Sequence, residues 1–92
     1  MPAQHKTTLD EARRVGDEIG VDWETFDIEL FRAGIDVECE HGSRDPQTDV
    51  THDDPIVTGK IALAHMKEYS DYYVRLARME VEADWELAVN RR

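Results

Sequence analysis

Four short polar caps, each set directly ahead of apolar residues at helical spacing, restrict this chain to a helical fold. Thr8 and Glu11 form the first, a capping box in which each side chain takes up a backbone N–H of the opening turn. Leu9, Ala12, Val15 and Ile19 then fall on one stripe, and Gly20 suits the left-handed position that closes a helix. Val21–Phe26 reads as a short connecting turn. Asp27 caps a second helix, predicted to run from Ile28 to His41 and to stop at Gly42. Asp54 followed by Pro55 is a favoured start for a third, which covers Ile56 to about Glu68. Ser70 is the predicted cap of the fourth, with Asp71 placed against the positive end of the helix dipole and a run to near Ala88.

Between the second and third helices lies one long polar loop, residues 43–54. Long loops are more often functional than short ones. The expected architecture is all-α: a compact bundle of about four helices, with residues 1–7 as a loose N-terminus and 8–90 as one domain. A length of 92 residues suits a single modest core. Cys39 is the sole cysteine, so no intrachain disulfide forms. The first twenty residues hold no apolar run, and no stretch is long enough to span a bilayer. The expected location is the cytoplasm.

A formal net charge of -10 argues against free DNA or RNA as a partner, because phosphate binding needs clustered Lys and Arg. Solubility is the plain reading of that charge. Basic proteins, cations or nucleic-acid mimicry are the functional ones.

Helix faces sharpen the picture. On the second helix Glu29, Arg32, Asp36 and Glu40 share a narrow arc, the predicted water face. Glu38 and His41 fall on the opposite, apolar side. His65 and Glu68 do so on the third helix, and Glu80 on the fourth. A buried carboxylate needs a partner or a cation. One solution is a polar network, with Glu38 meeting His65, Tyr69, Tyr72, Tyr73 or Arg75. A second is a metal site built from Glu38, His41, His65 and Glu68, whose donors suit zinc, iron or manganese. Glu38 and His41 have the Glu-x-x-His spacing of carboxylate-bridged di-iron bundles. Those bundles use the motif twice, whereas here the other pair is reversed, His65-x-x-Glu68. The third solution is a small acid–base site.

Other chemistry has little support. Asp45, Asp53 and Asp54 read as turn formers and caps, and the loop lacks the glycine and spacing of an EF-hand. Thr58-Gly59-Lys60 lacks the upstream glycine of a phosphate loop. Cys39 reads as a small apolar residue. The fourth helix carries a second apolar face, Val74, Ala77, Val81, Trp85 and Ala88, which either the first helix or another chain must cover. Self-association or a protein partner through Val74, Val81 and Trp85 follows from the latter.

The run Phe26–Gly34, the block Glu38-Cys39-Glu40-His41-Gly42, the stretch Thr48–Pro55, the segment Thr58–His65 and then Asp71-Tyr72-Tyr73 resemble a family of short bacterial and phage proteins catalogued as a domain of unknown function. The resemblance covers roughly residues 9–83. It implies a bacterial or phage origin and brings no assigned activity. Asp49 and His52 stand where asparagines are expected, and Ser70 where proline is. The leading expectation is a small acidic binding or structural module with an inner Glu/His cluster. The alternatives are a phage-associated protein that joins or inhibits a larger assembly, as virion component or nucleic-acid mimic, and a small metal-dependent enzyme. The first two assign no catalysis.

Overall fold

The computed structural model describes residues 6–90, with the side chains of residues 41–44 and 90 outside the description. Four helices follow in order: α1 (Leu9–Ile19), α2 (Ile28–Arg44), α3 (Pro55–Glu68) and α4 (Tyr72–Asn90). The three N-terminal caps form as the local sequence dictates. Thr8 and Glu11 make the reciprocal capping box, and Gly20 closes α1 at φ 82°. The Asp27 carboxylate accepts from the N–H of Glu29 at 2.7 Å, and that of Asp54 from Ile56 at 2.9 Å.

Two helix ends differ from the sequence reading. Gly42 does not stop α2, which continues to Arg44. Among the described residues only Gly20 of the glycines takes a left-handed φ. The stop is imposed by Pro46, which pushes Asp45 into the extended region (φ -144°, ψ 113°). Ser70 does not cap α4. Asp71 offers the first carbonyl of that helix, to Val74 and Arg75, while its carboxylate turns to Arg75 Nε at 2.9 Å. That guanidinium holds the Asp71 carboxyl below its ordinary range.

Side-chain-to-backbone bonds order the loop. Asp45 accepts from the N–H of Gln47, and Asp49 from those of Thr51 and His52. His52 and Asp53 both sit at positive φ (49° and 62°), a conformation short polar residues tolerate. Thr51 is buried by the turn they make.

α1, α2 and α3 pack on one another, and α4 packs on α2 and α3. The core draws on all four: Ala12 and Val15 from α1, Phe31 and Ile35 from α2, Ala62 and Met66 from α3, and Tyr73 from α4. Trp23, in the α1–α2 turn, is the contact the sequence reading missed. Its ring meets Phe31 edge-on at 5.5 Å and lies against Gly16, where a Cβ would collide with the indole. Its Nε1 donates to Asp17 at 2.8 Å.

Beyond Leu76 the core ends while α4 continues. Val81, Trp85, Leu87 and Val89 are exposed, and the molecule is 48 Å along its longest axis against 22 Å along its shortest. Glu80 is therefore in water, not on a buried face. It continues the line of Tyr72, Tyr73 and Leu76, but nothing lies over α4 at that height. Phe31, fully buried at the meeting of α1, α2 and α3, carries the first prediction. Phe31→Ala should lower stability by about 3–5 kcal/mol in urea unfolding, and a loss under about 1 kcal/mol would place the core centre elsewhere.

Candidate functional site

Among the described residues, Glu38 is the one buried carboxylate. It sits one turn beyond Gly34 and Ile35 on α2, on the side that faces α3 and α4. Its Oε2 accepts the Tyr73 hydroxyl proton at 2.8 Å and lies 3.0 Å from His65 Nδ1. The same His65 nitrogen is 3.2 Å from the Tyr73 oxygen, so the three polar atoms form a closed triangle. With Oε2 as shared acceptor, Nδ1 of the imidazole carries the proton. Three helices thus meet at one oxygen.

Aromatic packing closes the triangle. The Tyr72 ring stacks on His65 with centroids 4.3 Å apart and planes 11° from parallel. Tyr73 stands edge-on to both rings. Gly34 makes room for it, since a Cβ there would run into the Tyr73 ring. Burial first, then the hydrogen bond to Glu38 and its negative charge, push the Tyr73 phenol far above its ordinary value.

Of the four residues predicted as metal ligands, the structure brings Glu38 and His65 together. Glu68 points to solvent. Gly59, Ala62 and Met66 define the buried side of α3, and Glu68 lies about 150° round the helix from them. The side chain of His41 lies outside the described residues. Among the described residues no three of His, Cys, Asp and Glu converge as a ligand set. Asp36, assigned to the water face, is half-buried and accepts the Thr7 N–H at 2.9 Å. No helical periodicity could have signalled that bond, which comes from the chain ahead of α1. Cys39 is half-buried, and burial followed by the charges of Asp53, Asp36 and Glu40 pushes its thiol pKa up, the opposite of what a nucleophile needs.

Two open grooves flank the body. One is bordered by Ile19 of α1 and by Ile56, Lys60 and Leu63 of α3. The other runs between Leu30 and Ala33 of α2 and Val74, Ala77 and Val81 of α4, with a volume of about 670 Å³. Glu38 and His65 line neither. The triangle joins α2, α3 and α4, with its polar atoms turned on one another.

Tyr73 supplies a pH test of that arrangement. A phenol whose folded pKa is raised contributes stability that is intact below its unfolded pKa, near 10, and is lost as pH rises beyond that value. Between pH 8 and 11, urea midpoints of the wild type should fall more steeply than those of Tyr73→Phe. The difference in slope should approach about 1.4 kcal/mol per pH unit above pH 10. Parallel curves would mean that Tyr73 ionises freely in the folded protein.

No curated protein and no solved structure matches the chain. A family described as "Protein of unknown function (DUF5661)" matches residues 12–82. That span takes in most of α1, all of α2 and α3, the loop between them, the first part of α4 and all three residues of the Glu38–His65–Tyr73 triangle, and the chain belongs to this family.

Proposed function

We propose that the protein is a small acidic binding module, in which a three-helix body holds α4 out as its recognition element. The observation that carries this reading is the uncovered second face of α4. Val81 is 69% exposed and Trp85 66%, on a stripe that also includes Val74, Ala77 and Ala88. Of the two covers that the sequence admits, α1 is engaged elsewhere, against α2 and α3. An external chain is then the remaining cover. Leaving a side chain such as Val81 in water forgoes about 1.5–3 kcal/mol of burial, which a docked partner would recover. The Glu38–His65–Tyr73 triangle supports the reading from the other side, because it fixes the start of α4 and so the direction in which the stripe points.

A photoactivatable amino acid in place of Trp85 tests this in cells that make the protein. Irradiation should yield a covalent adduct of higher mass from position 85 and none from the exposed position of Glu24. The reading fails if position 85 gives no adduct.

A second reading rests on the orientation of His65. With Nδ1 given to Glu38, Nε2 is the nitrogen left for zinc, iron or manganese, and metal-bound histidines are commonly held by a carboxylate in this way. His41, three residues from Glu38 on α2, is a further donor that the sequence offers. Elemental mass spectrometry of untagged protein purified without chelator decides the matter. Near-stoichiometric metal that His65→Ala abolishes would support it, and metal-free, well-folded wild type would leave the triangle as a structural network.

A further inference from the structure

The charge pattern beside the exposed stripe restricts what could cover it. Val74, Ala77, Val81, Trp85 and Ala88 lie within about 80° of arc on α4. Along one edge of this stripe the charges run in order: Arg75 and Arg78 towards the N-terminal end, Glu82 and Glu86 towards the C-terminal end. The edge is thus positive at one end and negative at the other. Such an edge meets itself, and is complementary to itself, when two copies run antiparallel; in a parallel pair it would face the acidic edge of Glu80 and Asp84 instead.

We propose that α4 pairs with α4 of a second copy of this chain, antiparallel, about a two-fold axis at Val81. This rests on the reading of α4 as the docking helix. The register follows from size and charge together. With Val81 facing Val81, Trp85 of one copy falls opposite Ala77 of the other, so the largest side chain of the stripe meets one of the smallest. Ala88 falls opposite Val74. In the same register Arg75 comes beside Glu86 of the second copy, and Arg78 beside Glu82. Both pairs lie on the same edge, as antiparallel packing requires. Arg75 already holds Asp71 through its Nε, and the guanidinium has four further N–H donors for a second carboxylate.

The groove beside the stripe fits this occupant. Leu30 and Ala33 of α2 form its far wall, next to Val74 and Ala77. The C-terminal half of the second α4, bearing Trp85, passes over that part of the molecule in the proposed register. Each body then sits at an opposite end of the helix pair, with both projecting halves covered. The other edge of the stripe, Glu80 and Asp84, is acidic in both copies and contributes no attraction. The pair is therefore held by the stripe and one edge.

Sedimentation of the purified full chain tests the pairing, at ~0.15 M salt, where repulsion between two acidic chains is screened beyond about 8 Å. Two variants are compared with wild type: Arg75→Glu with Arg78→Glu, and Glu82→Arg with Glu86→Arg. These positions are exposed, so folding should persist, as circular dichroism will verify. Wild type should be dimeric at about 100 µM, and each variant alone should dimerise at least about tenfold more weakly. Mixing the two variants should restore the dimer, because all-acidic and all-basic edges complement each other. A monomeric wild type, a dimer indifferent to both reversals, or a mixture that stays monomeric would each overturn the proposal. Adducts from position 85 to other proteins alone, with a monomeric wild type, would overturn the self-pairing while leaving α4 a docking helix.

Discussion

One buried oxygen, Oε2 of Glu38, decides how the last helix is attached. A carboxylate in the interior is tolerated only with donors aimed at it. Here the donors come from two other helices, the Tyr73 hydroxyl of α4 and the His65 imidazole of α3. If either is withdrawn, the carboxylate is left under-satisfied in a place water reaches poorly. The polar triangle therefore acts as a condition on geometry. α2, α3 and α4 must converge within hydrogen-bond reach or the burial of Glu38 becomes unfavourable.

Close approach makes that convergence possible. Gly34 leaves the surface of α2 open to the flat Tyr73 ring, and Gly16 does the same on α1 for Trp23. In both places an aromatic ring lies directly against helix backbone, which only the absence of a Cβ permits. Phe31 lies beside the Trp23 contact and Ile35 next to Gly34 in the chain, so the aromatic contacts are continuous with the aliphatic core. The body is thus made from few large side chains, with glycine setting the distances between helices.

What was legible in the sequence was local. The capping box of Thr8, the Asp27 cap and the Asp54-Pro55 start each depend on residues within one turn, and each forms where the sequence places it. The Gly42 stop did not, because the end of α2 is set by Pro46, further along the chain. The pairing of Glu38 with His65 was visible because both fall on inward arcs. The choice of Tyr73 over Tyr69 and Tyr72 was not, since it depends on the slot at Gly34 in another helix. Glu68 was placed on the wrong face, because the buried side of α3 is the one with Gly59, Ala62 and Met66. Glu80 was misplaced for a related reason: periodicity shows which way a side chain points, and only the tertiary arrangement shows where the core stops.

The free half of α4 is poorly stabilised as a helix by itself. Glu80, Glu82, Asp84 and Glu86 place four acids within seven positions, and Glu82–Glu86 and Glu80–Asp84 are like charges one turn apart. The last turn of the described helix carries no base to offset the dipole. Isolated helices of this length are marginal in water even with favourable sequences. A segment with these handicaps gains most from an external surface that offers apolar contact and positive charge together. Its exposed valines and tryptophan therefore belong to the same physical problem as its surplus of acids. Both would be relieved by one event, the docking of a complementary helix proposed above, and the Glu38–His65–Tyr73 junction fixes where α4 leaves the body.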